Sequence, residues 1–343
     1  MFKAIRIKKP GGLDNLYLDS ISAREPNAGE VVVKLHASSL NYHDYFVAKG
    51  VLPTKDGRIP MSDGAGEVIA VGEGVTEFAR GDAVMSTFFN NCPAGESRAH
   101  HHSGMMGDQT DGYACEQITV PATGLTLVPR SFSHAEAATL PCAALTAWRA
   151  LMVNARIKPG DSVLIQGSGG VSLFALQFAK AAGCEVIATS SSDEKLERMR
   201  GMGADGLINY REHPNWAKQV RKLTSGRGVD HVVEVGGAGT FAQSIEACGE
   251  GGHIAMIGVL AGGHQGDIPT NVIMGKQLTI KGVIVGSRED QLNMIRAIDR
   301  NGIRPVLDKH FPLEQLADAF RYQESGKHFG KIIVDIASAV MQR

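Results

Sequence analysis

The run "VLIQGSGGVSLFALQFA" at residues 163–179 decides how this chain is read. Val163 to Gln166 has the length and apolar character of a buried strand. It stops at Gly167-Ser168-Gly169-Gly170-Val171-Ser172, and a pattern of helical period follows. Glycines at such a turn permit a tight bend and let the backbone approach a pyrophosphate at the helix N-terminus. Ser172 replaces the third glycine of G-x-G-x-x-G but is small enough for close helix–strand packing. The alternative, an ordinary strand-to-helix turn, is weighed by what surrounds it.

The surroundings continue the pattern. "EVIAT" (185–189), "GLINY" (206–210), "DHVVEV" (230–235) and "HIAMIGV" (253–259) read as strands. "DEKLERMRGMG" (193–203), "HPNWAKQVRKLTSG" (213–226) and "TFAQSIEAC" (240–248) read as the helices between them. This alternation predicts a parallel sheet covered by helices on both faces. "QLTIKGVIVG" (277–286), apolar on both faces, adds a strand and "REDQLNMIRAI" (288–298) a helix. Before residue 134 the chain is different: "VVVKLHASSL" (31–40), "GEVIAVG" (66–72) and "EQITVPA" (116–122) are short β-branched runs that suggest a barrel. "HAEAATLPCAALTAWRALM" (134–152) is helical in composition. Residues 88–111 have no periodicity and read as a long functional loop. The β-rich "FGKIIVDI" (329–336) is expected to return to the first domain.

A length of 343 residues suits two domains, and 43% hydrophobic with 21% charged residues suits a globular protein. A net charge of −1 gives no reason to expect nucleic acid or an anionic membrane. No apolar run approaches the roughly 20 residues that span a bilayer. The start, "MFKAIRIKKPGG", alternates like a strand and lacks a signal-peptide pattern. Five cysteines without short-spaced pairs point to reduced thiols and a cytoplasmic location.

The end of the second strand of the alternating region reports the nucleotide. An NAD site usually carries a carboxylate there, on the ribose hydroxyls. Here "ATSSSDEK" offers Thr189, Ser190 and Ser191, with Lys195 one turn into the helix and Tyr210 at the next strand end. Hydroxyls and an ammonium suit a 2′-phosphate, so NADP(H) is the expected cofactor. The alternative is that Lys195 is solvated and Asp193 serves the ribose.

With these features in place, the chain resembles the medium-chain dehydrogenase/reductase superfamily over nearly its whole length. The matching motifs are "SLNYHD" (39–44), "DGAGEVIAVGEGVTEFARGDAV" (63–84), "DGYACEQITVP" (111–121), "LPCAALTAWRAL" (140–151), "GSGGVS" (167–172) and "HFGKIIV" (328–334). Among its branches it is most similar to the quinone oxidoreductase and zinc-type alcohol-dehydrogenase-like group. The resemblance implies an α/β protein: a GroES-like β-barrel catalytic domain (1–127 and 301–343) and a Rossmann domain with a doubly wound parallel sheet (128–300). It implies cofactor contacts at Thr146, Gly167, Ser168, Gly169, Gly170, Val171, Ser190, Ser191, Lys195, Tyr210, Gly258, Val259, Val285, Ser287, Phe329 and Lys331. It also implies a homodimer, paired through the edge of the strand at 277–286.

Zinc-dependent relatives hold the metal by a Cys, a His and another Cys or a carboxylate. Carried over, those positions fall on Asn41, Ser62 and Cys142, and Asp63 stands where the relatives have Glu. An amide and a hydroxyl do not replace a thiolate and an imidazole, so no metal is expected. The loop offers only Cys92 where relatives with a structural zinc carry four cysteines. Two rival metal readings are His43 with Asp63 and Cys142, and the run His100, His101, His102. Without a Lewis acid the reducible bond must be polarised by hydrogen bonds or activated by conjugation, which favours quinones and α,β-unsaturated carbonyls. Asn41 is expected to donate to the carbonyl and His43 to supply the proton, with Tyr42 and Asp63 as further catalytic candidates. His43 as a plain packing or cofactor-contacting residue is the alternative. Asp44 is read as structural, Cys142 as a buried small hydrophobe, and Arg288 as facing either cofactor or solvent. The resulting expectation is a zinc-independent, NADPH-dependent reductase of a small quinone or carbonyl substrate. Its alternatives are an alcohol or aldehyde dehydrogenase of the same fold, and an NADPH-binding protein with little turnover.

Overall fold

A computed structural model of the protein describes residues 1–95, 98–262, 266 and 268–336. The chain opens with an antiparallel hairpin, β1 (Phe2–Ile7) and β2 (Leu16–Ile21). Next come β3 (Glu30–Ser39), helix α1 (Tyr42–Ala48), β4 (Gly64–Val71), β5 (Ala83–Ser86), β6 (Gln117–Pro121) and β7 (Leu125–Leu127). The helical stretch that follows holds α2 (His134–Ala137) and α3 (Leu145–Trp148), with wide i→i+5 turns at Leu140–Ala144 and Arg149–Ala155. Pro141 has no N–H to donate, so the α ladder cannot pass through it in register.

From there β8 (Ser162–Gln166), α4 (Gly170–Ala181), β9 (Glu185–Ser190), α5 (Asp193–Gly201), β10 (Gly206–Asn209) and α6 (Trp216–Leu223) alternate. The series continues with β11 (Val229–Glu234), α7 (Phe241–Ala247), β12 (Cys248–Met256), α8 (Thr270–Gly275) and β13 (Thr279–Gly282). The chain ends with α9 (Arg288–Asn301), β14 (Leu307–Pro312), α10 (Leu316–Glu324) and β15 (Lys331–Asp335). Among the described residues no helix is long and apolar enough to cross a membrane.

Contacts divide the chain into two compact units, Met1–Leu145 with Gly286–Arg343, and Thr146–Val285. The expected cuts after residues 127 and 300 both fall inside the first unit. Hydrogen bonds explain the shift. Gln291 of α9 donates to Ser86 O at 2.9 Å and Thr126 Oγ1 at 2.8 Å, and Arg288 Nε donates to Leu125 O at 2.9 Å. Ser39 Oγ donates to Ala138 O, just past α2, at 2.8 Å. α2 and α9 therefore belong to the barrel.

In the first unit the sheet runs β14-β15-β3-β4-β5-β7, and β6 also pairs with β3. The returning tail is seated as expected: Ile333 of β15 pairs antiparallel with Ser39 of β3. The core gathers Val31, Val33, Leu35, Val68, Phe320 and Val334, all buried. Burying such side chains is the main favourable term for the barrel, at about 25 cal/mol per Å² of apolar surface.

The second unit is a six-stranded parallel sheet in the order β10-β9-β8-β11-β12-β13. Every residue of β8 is buried, as a central parallel strand requires. The order reverses between β8 and β11, and ligands bind such sheets at the carboxyl ends of the strands there. β13 is shorter than the expected 277–286 strand and is not apolar on both faces, since Thr279, Lys281 and Gly282 are exposed. Left-handed backbone at Gln277 (φ 55°) and Val285 (φ 47°) turns the chain out of the ladder on both sides.

One buried group of this unit sets a pH dependence. His253 of β12 pairs in register with His231 of β11, whose Nε2 lies 3.0 Å from Asp161 Oδ2. Burial, followed by repulsion from His231 and Lys281, lowers the pKa of His253 from 6.5 to about 4. The unfolded chain therefore binds the extra proton, and this contribution to stability is complete above pH 6.5 and lost as pH falls toward 4. Thermal melting of the protein and of His253→Gln between pH 7.5 and 4.5 checks this: the variant should lose less Tm on acidification.

Candidate functional site

In the first unit, Asp44 ties the start of α1 to the start of β4. Its Oδ2 accepts the Asn41 N–H at 3.0 Å and its Oδ1 accepts the Ser62 N–H at 2.8 Å. This is the structural role expected of it. The result brings Asn41, Ser62 and Asp63 together under Lys331 of β15. Lys331 Nζ donates to Leu40 O and to Asn41 Oδ1, the latter at 2.6 Å. Asn41 Nδ2 donates to Asp63 Oδ2 at 2.9 Å and to Ser62 Oγ at 3.2 Å. Lys331 (4% exposed), Asp63 (0%) and Ser62 (0%) are sealed from water.

This geometry corrects three expectations. Asn41 has two amide hydrogens and both are engaged, so its side chain has none left for a substrate carbonyl. Asp63 is buried behind Asn41 and supports it rather than meeting a substrate. Lys331, expected at the cofactor, points its ammonium inward at Asn41. Asn41 thus stands between a buried ammonium and a buried carboxyl group, accepting from the first and donating to Oδ2 of the second. Burial pushes the Asp63 carboxyl up to about 7, against the pull of Lys331, and burial draws the Lys331 ammonium down.

The donor set does not fit a catalytic zinc. The amide and the hydroxyl at the ligand positions are hydrogen-bonded to each other, and neither is a zinc donor of useful strength. Cys142 is partly buried, and burial followed by the charge of Asp63 holds its thiol well above the ordinary pKa. A thiolate, the form that binds metal, is therefore disfavoured there. The rival set of His43, Asp63 and Cys142 does not assemble: among the described residues no three His, Cys, Asp or Glu are grouped to hold a metal ion. His100 and His101 lie edge to face at 4.3 Å in a short 3-10 turn, while the side chain of His102 and residues 96 and 97 lie outside the described residues.

His43, on the next position of α1, is partly exposed. Its Nε2 lies 3.4 Å from Asp108 Oδ2 and its Nδ1 3.6 Å from Asp44 Oδ1. Burial alone would lower its pKa, but the two carboxylates outweigh it and raise the imidazole to about 9. The ring is an imidazolium at neutral pH. Tyr42 turns instead toward the barrel core, its ring 6.3 Å from that of Tyr45 and 6.5 Å from that of Phe46.

In the second unit, Gly167 (φ 71°) makes the left-handed turn after β8, and a Cβ there or at Gly169 would meet no atom within 4 Å. The space above the turn is open, and Gly169 caps α4, whose first N–H groups face it. This arrangement fits a pyrophosphate. Ser168, Gly170 and Val171 complete the turn. The ends of β9, β10 and β12 carry Ser190, Ser191, Tyr210, Gly258 and Val259 at the same carboxyl edge of the sheet, with Lys195 on α5. Tyr210 N–H donates to Ser190 O at 3.0 Å, and Asn209 Nδ2 holds Asp193 Oδ1 at 2.8 Å. Thr146 and Val285 are buried at the two ends of the unit. Ser287 and Phe329 belong to the first unit: Ser287 Oγ accepts from Asp290 N to cap α9, and buried Phe329 donates its N–H to Asp308. Arg288 is held by Leu125 O and by an ion pair with Glu77.

Sequence reasoning missed Glu234. Fully buried at the end of β11, it accepts from Gly236 N at 2.7 Å, Gly237 N at 2.9 Å, Thr240 Oγ1 at 2.6 Å and Gln166 Nε2 at 2.8 Å, and also from Ser244 Oγ. It locks the turn after β11 to the residue that precedes the glycine turn, at the point where the strand order reverses. A lone carboxylate in "VVEVGG" was the available signal. Asp108, in the aperiodic loop, gave none.

Residues 27–130 match the alcohol dehydrogenase GroES-like domain and residues 170–300 the zinc-binding dehydrogenase family. A zinc-type alcohol dehydrogenase-like protein of Schizosaccharomyces pombe is 44% identical over 319 residues, 90% of this chain and 92% of that one. The crystal structure of an NAD-dependent alcohol dehydrogenase is 34% identical with a TM-score of 0.89, over 98% of this chain and 100% of that one. The crystal structure of CurK enoyl reductase is 25% identical with a TM-score of 0.81, over 98% and 99%. The chain belongs to the zinc-type alcohol-dehydrogenase-like branch of the medium-chain dehydrogenase/reductase superfamily, and is an oxidoreductase with the nicotinamide-dependent dehydrogenase fold.

The buried cluster makes a signed prediction. The raised Asp63 pKa means that its contribution to stability is complete below 3.8 and lost as pH rises through about 7. Asp63→Asn keeps the shape and mimics the protonated acid. Urea denaturation at pH 5 and pH 8 should show the variant losing less stability on the alkaline side than the parent.

Proposed function

We propose, from that membership, that the protein reduces quinones or α,β-unsaturated carbonyls with NADPH and without a metal Lewis acid. The observation that carries this reading is the Asn41–Ser62 hydrogen bond at the positions where zinc relatives hold their metal. With no metal to polarise an isolated carbonyl, the electrophile must be activated by its own conjugation. The likeness to CurK enoyl reductase supports the same class of substrate. Ser190, Ser191, Lys195 and Tyr210 favour a 2′-phosphate, and Asn209 keeps the Asp193 carboxylate occupied.

A nicotinamide held at this site would supply the hydride, which the carbon β to the carbonyl would accept. The π pair of the alkene then moves into an enolate, or into a hydroquinone anion for a quinone. His43, an imidazolium at neutral pH, gives its proton to that anion, at the α carbon or at oxygen. The glycine turn at 167–170 would hold the pyrophosphate, and Glu234 keeps the neighbouring turn in place.

Three tests follow from this reading. In an NADPH oxidation assay over quinones, enones and alcohols, turnover should be confined to the conjugated substrates. NADPH should give a higher kcat/KM than NADH, and the reverse order refutes the cofactor assignment. His43→Gln should lower kcat/KM by about 100-fold and abolish the fall in rate near pH 9, whereas an unchanged pH profile removes His43 as the acid. NADPH binding with no turnover on any substrate would leave the protein a cofactor-binding protein. The open edge of β13, flanked by Met274 (76% exposed) and Ile284 (58%), also supports a homodimer. Light scattering should show two chains, and Ile284→Lys with Met274→Lys should give one.

A further inference from the structure

We infer that Asp108 is a positioning residue for His43, carried by a clamped turn that fixes where the imidazole proton points. This deepens, and rests on, the reading of His43 as proton donor.

The turn at 104–112 lies at the end of a segment with no sequence periodicity, yet it is tightly built. Gln109 and Thr110 both donate their N–H to Met105 O, at 2.9 and 3.1 Å, and Gly107 donates to Thr110 O at 3.0 Å. It is also held from outside. Thr54 Oγ1 donates to Asp108 O at 2.6 Å, Arg58 donates to Gln109 O and Asp111 Oδ1, each at 2.8 Å, and Gly112 N donates to Ile59 O at 2.8 Å. Gly107 adopts φ 80°, and a Cβ there would lie 2.7 Å from the Met61 backbone. Backbone thus rests on backbone next to Ser62, and Asp108 has little room to move.

Two carboxylates face the His43 ring and outweigh its burial, Asp44 from its own helix and Asp108 from the turn. They are not equivalent. Both oxygens of Asp44 already accept backbone N–H groups. Asp108 faces Nε2 at 3.4 Å with Oδ2, which among the described residues accepts no backbone N–H. The Phe88 ring closes a third side, edge-on at 5.8 Å. Asp108 therefore selects the orientation in which Nε2 carries a proton, and its charge keeps that proton in place.

The test compares the parent with Asp108→Asn, Asp108→Glu and Gly107→Ala. The His43 imidazole is titrated by NMR and the pH profile of kcat/KM is recorded with NADPH and an enone, with NADPH affinity and Tm as controls. In Asp108→Asn the His43 midpoint should fall from about 9 by about one to three pH units, and the alkaline limb of the rate profile should fall with it. Asp108→Glu should recover most of both, and Gly107→Ala should reproduce the loss by displacing the turn. An unmoved His43 midpoint in Asp108→Asn overturns the assignment of Asp108. A midpoint that moves while the rate profile stays fixed overturns His43 as the acid, and the catalytic meaning of Asp108 with it.

Discussion

A buried ammonium governs the first unit. Lys331 lies on the last strand, more than 280 residues after the Asn41 amide that it holds at 2.6 Å. An ammonium without acceptors in such a place would cost several kcal/mol. The cost is met by Leu40 O, by Asn41 and, through Asn41, by Asp63. β15 must therefore return beside β3 in one register, and Asn41 must present its oxygen to one side and its amide hydrogens to the other. The amide is a spacer between opposite charges, and in this role it supports the fold.

The second unit has an equivalent constraint of opposite sign. Glu234 is a carboxylate with no exposure, satisfied by five donors from β8, the turn after β11 and α7. Carboxylates that gather so many donors make rigid hubs, because losing any one donor leaves charge unsatisfied in a medium of low dielectric. The hub adjoins Gln166, immediately before Gly167. The open glycine turn is thus backed by a fixed framework, which a backbone cradle for a charged ligand requires.

His43 shows how environment outweighs residue type. Burial alone would lower its pKa, as it does for His253, which reaches about 4. Two facing carboxylates reverse the sign and raise it to about 9. The two histidines have the same intrinsic chemistry, and their surroundings move their pKa values in opposite directions.

Periodicity and glycine placement were enough to determine the alternating sheet, the glycine turn and the return of the final strand, because these depend on local patterns that the residues carry themselves. The amide and hydroxyl at Asn41 and Ser62 were legible for the same reason, since residue identity is carried by the sequence itself. The role of Asn41 was misread as substrate contact, since its partners Asp63 and Lys331 are brought to it by strand pairing and no local pattern announces them. The unit boundaries at 145 and 285 were also hidden, because hydrogen bonds from α9 to Ser86, Leu125 and Thr126 draw that helix to the barrel. Asp108 and Glu234 belong with these cases. What the sequence determined by itself was which groups exist and which segments fold. Which groups face each other, and hence which are charged, committed or available, was decided only by tertiary contacts, since electrostatic and hydrogen-bonding partners are set by distance in space and not by separation along the chain.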